Sequence, residues 1–172
     1  MMTVIQQQFQ RLDLVVLNAS GGLEKGKAED YAMLLNHTAQ LQTAKLAVGL
    51  MPAGGRLVFV TSHWAHFYGQ RAVIPGYEVV ARSKHSGEQA LREYAADLVP
   101  RGISLVVVSG DAIEGTITPR LLERQQPGLL DHRPDQAKRL PKLDEFAEAI
   151  AQAAADSNLP NGHTIFVGST DY

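Results

Sequence analysis

The 172-residue sequence is 45% hydrophobic, enough apolar content to bury a core, which excludes a disordered chain and a disulfide-held mini-protein. Its sixteen basic and eighteen acidic residues are scattered, so the basic footprint needed for a nucleic-acid or anionic-membrane partner is absent. With no cysteine there is no disulfide, thiolate nucleophile or thiolate metal site, and no apolar run is long enough to cross a bilayer.

The start Met-Met-Thr-Val-Ile-Gln-Gln-Gln lacks a basic-then-apolar signal, so a cytoplasmic protein with one domain over 1–172 is expected. Four segments read as strands: Leu12 to Asn18, Arg56 to Ser62, Ser104 to Gly110 and Thr164 to Gly168. The first three are nearly continuous apolar runs, as strands covered on both faces of a parallel sheet are. Between them lie helix-sized segments at Glu29 to Met51, Glu78 to Leu98 and Leu143 to Asp156. Strand and helix in alternation predict an α/β fold with crossover connections.

The helix Glu78 to Leu98 carries a stripe at Val80, Lys84, Gly87, Leu91, Tyr94 and Leu98. Lys84 is the one charged member, and a lysine there either serves a function or reaches past the seam to water. From Thr116 to Leu140 the chain is polar and proline-containing, read as a short helix at Ile117 to Gln125 followed by a loop that is a lid or disordered. His63 and His66 lie three apart without nearby carboxylates or cysteine, which reads as a polar loop and not as a metal pair. His37 reads as a satisfied core or interface histidine.

In open parallel sheets ligands bind where strands end. The strands are followed by Asn18-Ala19-Ser20-Gly21-Gly22, by Thr61-Ser62-His63, and by Ser109-Gly110-Asp111-Ala112-Ile113-Glu114-Gly115-Thr116. Small and hydroxyl residues suit close backbone contact with a cofactor, and equally suit ordinary turns.

Taken in order, these segments resemble the short-chain dehydrogenase/reductase family. Leu17-Asn18-Ala19-Ser20-Gly21 is similar to its Asn-Asn-Ala-Gly turn, Asn36 sits where it has its active-site Asn, and Gly55 to Ser62 resembles the strand ending in its catalytic Ser. Ala81-Arg82-Ser83-Lys84 resembles the stretch carrying the catalytic Lys, and Pro100-Arg101-Gly102-Ile103 precedes the next strand as in many members. The resemblance implies a three-layer Rossmann-like parallel sheet of about four strands and hydride transfer from NAD or NADP to a carbonyl or enone of a small-molecule substrate. It assigns catalysis to Tyr77, Lys84, Ser62 and Asn36, and cofactor contacts to Asn18, Ala19, Ser20, Gly21, Lys84, Gly110, Ile113 and Thr116.

The sequence departs from the family pattern in two places. Val80 stands four residues before Lys84, where most members have the catalytic Tyr; Tyr77, seven before, matches the spacing of the branch containing enoyl-acyl-carrier-protein reductases, with Tyr68 near that branch's second tyrosine. Seven residues is about 10 Å along a helix, so Tyr77 must precede the helix, as proton donor or as a packing aromatic. A glycine-rich pyrophosphate turn and a ribose-selecting second strand have no counterpart, which implies weak or absent cofactor binding. A natural truncation, a mis-started reading frame and a partial chain all fit. So does a non-catalytic remnant that binds a ligand or protein partner. With a family strand missing beside Leu12 to Asn18, a homodimer or higher homo-oligomer is expected through that edge or through the two long helices.

Overall fold

The computed structural model describes residues 2–125, 127–128 and 134–171. Its centre is built by the two longest strands, β2 (Arg56–Ser62) and β3 (Ser104–Gly110), paired in parallel along their whole length from Arg56 opposite Ser104 to Ser62 opposite Gly110. Leu57, Val58, Val106 and Val107 are fully buried, which requires cover on both faces. β1 (Leu14–Leu17) and β4 (His163–Val167) flank them in the order β1-β2-β3-β4, all parallel.

One face is covered by two long helices. The first, α2, runs from Tyr31–Met33 through a π-helical stretch, Leu34–Thr38, into Ala39–Val48. The second is α4 (Glu78–Leu98), which ends at Pro100, where no backbone N–H is available to continue it. Ala44, Ala47 and Val48 of α2 and Leu91, Ala95 and Leu98 of α4 pack on Leu17, Leu57, Phe59, Leu105 and Val107. The opposite face is covered by α6 (Leu143–Ala155), whose Phe146, Ala149 and Ala153 meet Val58, Val60, Val106, Val108 and Val167. Glu145 starts this helix by accepting the Lys142 backbone N–H at 2.8 Å. The result is the three-layer Rossmann-like arrangement expected from the sequence.

Several expected boundaries shift. The strand expected from Leu12 begins at Leu14, and its Leu14 and Val16 are exposed because α6 does not extend over β1. The expectation of cover on both faces therefore holds for β2 and β3 and fails for β1. A seven-residue helix, α1 (Met2–Gln8), precedes β1 without any apolar periodicity to announce it. His63–His66 forms a short helix, α3, where a loop was expected, because the Ser62 hydroxyl accepts the Ala65 N–H and caps it. The helix expected at Ile117 to Gln125 is present as α5 (Ile117–Gln125); part of the segment expected as a lid or disordered lies outside the described residues. No helix among the described residues is long and apolar enough to cross a membrane.

The two helices that share a face, α2 and α4, cross at very close range. A Cβ on Gly87 would stand 2.1 Å from the Asn36 carbonyl oxygen, which is backbone and cannot move aside cheaply. Gly87→Ala should therefore push the helices apart and cost about 1–3 kcal/mol in urea unfolding, the usual scale of overpacking. An unchanged midpoint would show that the crossing relaxes without loss.

Candidate active site

The carboxyl ends of β1, β2 and β3 converge under the start of α4, and the residues singled out in the sequence gather there to different degrees. Tyr77 is the N-terminal boundary residue of α4, immediately ahead of its first turn, as the seven-residue spacing requires. It is buried with Trp64, Val80, Ala81, Ala112 and Leu122, its ring edge-on to Trp64 at 5.4 Å. Its hydroxyl donates to Ser62 Oγ at 3.3 Å. Burial pushes the Tyr77 phenol above its ordinary pKa, opposed only by that hydrogen bond. That direction holds Tyr77 as a neutral phenol.

Lys84 lies two turns further along α4 and is 7% exposed. It draws no hydrogen bond or ion pair from the described residues, and burial lowers its pKa from 10.5 to about 8, with the Glu88 charge opposing. That shift corresponds to about 3 kcal/mol of disfavoured charge at neutral pH. A buried amine of this kind is an expense for the fold unless a ligand uses it.

Asn36 lies inside the π-helical stretch of α2, a distortion that widens one turn and recurs at functional sites. Its Nδ2 donates to the Gly21 carbonyl at 2.8 Å and to Ser83 Oγ at 2.9 Å, and its Oδ1 accepts the Gly21 N–H at 3.2 Å. The side chain is thus committed to backbone, and it ties the turn after β1 to the residue beside Lys84. One turn on, Gln40 does the same for Ala19, donating to its carbonyl at 2.7 Å. Gln40 carried no sequence signal, and only its burial at a polar position marks it.

The expected cofactor residues divide between two places. Asn18, Ala19, Ser20 and Gly21 form the turn after β1. Ser20 and Gly21, with Leu23, Glu24, Tyr77, Val80, Ile117, Thr118 and Leu121, line a cavity of about 340 Å³. Gly110, Ile113 and Thr116 lie in the passage from β3 to α5, where Thr116 Oγ1 donates to the Ile113 carbonyl at 2.8 Å. A Cβ on Gly110 would sit 1.9 Å from the Phe146 ring, so packing by α6 already accounts for that glycine. Ser62, Asn36 and Lys84 are not in the cavity wall.

Other candidates resolve structurally. Tyr68 donates to Glu78 at 2.6 Å, away from Ser62, and this hydrogen bond to the carboxylate raises its pKa. His63 is buried with Nδ1 at 2.8 Å from Ser109 Oγ, and His66 Nδ1 lies 2.8 Å from Glu88. No metal-binding cluster occurs among the described residues. His37 pairs with Ser86 Oγ at 2.8 Å, as a satisfied histidine does.

A family model described as enoyl-(acyl carrier protein) reductase matches residues 1–169. The 1-cyclohexenylcarbonyl-CoA reductase of Streptomyces collinus is 29% identical over 174 residues, covering 95% of this chain and 60% of its own length. Among solved structures, a promiscuous reductase, LugOII, described as catalysing keto-reduction at C1 during lugdunomycin biosynthesis, superposes with a TM-score of 0.74 at 23% identity, covering 99% of this chain and 70% of that one. At that identity it speaks for the fold alone. The chain spans about 60% of the length of the curated relative it matches. Four parallel strands, a tyrosine at the head of α4 on a serine at the end of β2, and a match over nearly the whole chain agree: the chain belongs to the short-chain dehydrogenase/reductase family.

Proposed function

We propose that this chain carries the proton-donating and substrate-facing half of an NAD(P)H-dependent reductase acting on a carbonyl or a conjugated enone. The observation that carries the reading is the Tyr77–Ser62 hydroxyl pair, with Tyr77 also in the wall of an otherwise largely apolar cavity. When bound, the nicotinamide supplies a hydride. The negative charge that then develops on the substrate oxygen needs a positioned donor, and a neutral buried phenol is one. Ser62 adds a second hydroxyl within reach of the first. Lys84 would hold the nicotinamide ribose through donors that the described residues leave unused, and Asn36 holds the turn after β1 through the Gly21 carbonyl.

Two facts favour an enoyl thioester over a simple ketone: the tyrosine-to-lysine spacing of seven, and a relative named for reduction of a cyclohexenylcarbonyl-CoA. The alternative, a remnant that binds a ligand without turnover, draws on Val80, an apolar side chain where most members have their tyrosine. The buried amine speaks against it, because a remnant gains nothing from about 3 kcal/mol of disfavoured charge.

Assembly follows from the exposed apolar surface. β1 is an edge strand with Leu14 and Val16 uncovered, and Leu34, Leu46 and Val79 face outward from the two long helices. A homodimer or higher homo-oligomer through the edge, the helices or both would cover them.

In an assay at millimolar NADH or NADPH with a panel of ketones and enoyl thioesters, Tyr77→Phe should lose about a hundredfold or more in kcat, while Tyr68→Phe stays near the parent rate. Equal rates for Tyr77→Phe and the parent would remove the tyrosine from the chemistry. Calorimetry on the 172-residue chain should give a dissociation constant for NADH or NADPH no tighter than about millimolar, since the glycine-rich anion turn has no counterpart in its sequence. A low-micromolar value would mean that another segment anchors the phosphates. Light scattering at micromolar concentration should show a mass above that of a monomer, and Val16→Lys should lower it if the β1 edge is the interface. A monomer mass for the unmodified chain would rule the assembly out.

A further inference from the structure

The segment 67–76 leaves α3 and ends at the head of α4, and three of its residues, Tyr68, Val73 and Ile74, pack partly buried against the cluster that holds Trp64 and Tyr77. The Ile74 carbonyl also accepts the Tyr77 backbone N–H at 3.1 Å. The segment therefore covers the tyrosine and sets where its backbone stands. It contains no helix or strand, so its own hydrogen bonds do little to hold it. Its fastening is at Arg71. The guanidinium stands over the Phe67 ring, 4.4 Å from the centroid, donates to the Thr170 carbonyl, and lies 4.0 Å from the Asp171 carboxylate. Phe67 in turn stacks on Phe166 of β4, with centroids 5.7 Å apart and planes 10° from parallel. Phe166 is fixed by the sheet, where it pairs with Ser109 of β3. Gly168 then turns the chain: it adopts φ +87°, and a Cβ there would stand 2.7 Å from Asp111 Cβ. The Asp171 N–H donates to Ser169 Oγ at 3.1 Å and closes that turn.

We infer that Arg71 is a positioning residue for Tyr77: it straps the segment 67–76 to the chain beyond β4, and so keeps the tyrosine buried against Trp64 with its hydroxyl on Ser62. An exposed ion pair alone would be too weak for this and easily screened. A guanidinium adds two things to its charge, a planar face for an aromatic ring and a fork of donors for a carbonyl, and Arg71 uses both. The contact it makes with Thr170 spans ninety-nine positions of sequence, so one side chain ties the approach to the tyrosine to the far end of the sheet. The inference rests on the reading of Tyr77 as the proton donor, whose hydroxyl must stay 3.3 Å from Ser62 Oγ to act with it. Loosening the segment would admit water to the phenol and remove the burial that holds it neutral. Neither Arg71 nor Phe166 lines the cavity, so a substitution at either reaches the site only through the strap.

Trp64 is the sole tryptophan of the chain and lies edge-on to Tyr77 at 5.4 Å, so its fluorescence reports on the tyrosine's surroundings and needs neither cofactor nor substrate. In the parent the emission should be that of a buried indole, slowly quenched by acrylamide. In Arg71→Ala, at a temperature where circular dichroism shows the chain folded, the emission should shift to the red and the quenching constant rise about twofold or more, as local opening admits solvent. Arg71→Lys keeps a cation over Phe67 and a donor for the carbonyl, and should return both readings toward the parent. Phe166→Leu should reproduce the change, and combining it with Arg71→Ala should add little, because both cut the same strap. A purely structural role would lower the melting temperature of Arg71→Ala and leave the emission and quenching of the folded chain at parent values. That result overturns the inference, as do fully additive effects of the two substitutions. If Arg71→Ala does not fold, Phe166→Leu alone decides by the same readings. A red-shifted Arg71→Ala beside a Tyr77→Phe variant that turns over like the parent would leave the strap standing and remove the proton-donor reading instead.

Discussion

The site depends on the crossing of α2 and α4, where the Gly87 backbone lies against the Asn36 carbonyl. Helices this close leave no room for a side chain between them, and the π-helical turn at Leu34–Thr38 turns the Asn36 side chain toward the sheet end instead of along the seam. From there its amide reaches Gly21 on one side and Ser83 on the other. The turn after β1 and the lysine-bearing turn of α4 are therefore set against each other by a single side chain, and both are set against β2 by the hydrophobic cluster of Phe59, Leu91 and Leu105. Loosening the crossing would alter the cavity wall and the Lys84 position together.

Polarity within the buried layer follows a consistent pattern. The sheet and the inner helix faces are apolar at nearly every position, and the buried polar groups lie mainly at strand ends and along α2 and α4 near the cavity. Asn36 and Gln40 hold backbone; Ser62 holds a helix end; Glu88 holds His66 and Arg92. Lys84 and the Thr61 hydroxyl lack hydrogen-bonding partners in the described residues. Buried polar groups are ordinarily satisfied, which sets these two apart.

Much of this was legible in the sequence, for identifiable reasons. The runs Arg56 to Ser62 and Ser104 to Gly110 are apolar at nearly every central position, so their strand character and burial could be read directly, and the helix Glu78 to Leu98 carried its own periodicity and a proline stop. The order of short motifs indicated the family, and the seven-residue spacing put Tyr77 ahead of α4. The rest was hidden because it depends on contacts distant in sequence. Glu88 looks like one more helix-surface acid until His66, twenty-two residues earlier, folds onto it. Gln40 looks like a surface amide, and nothing in Met2 to Gln8 has helical periodicity. β1 reads as buried because its composition is apolar, whereas its cover depends on what packs beside it.

The Ser62 hydroxyl has a consequence that follows from counting lone pairs. A hydroxyl oxygen has two of them and a single proton. Here one lone pair takes the Ala65 N–H that begins α3 and the other takes the Tyr77 hydroxyl. While the tyrosine donates, the serine has only its own proton left to offer, so an oxygen brought alongside meets a donor. The capping of a four-residue helix thereby takes one of the two acceptor places out of use, and the serine meets its other neighbours with a single lone pair and one proton.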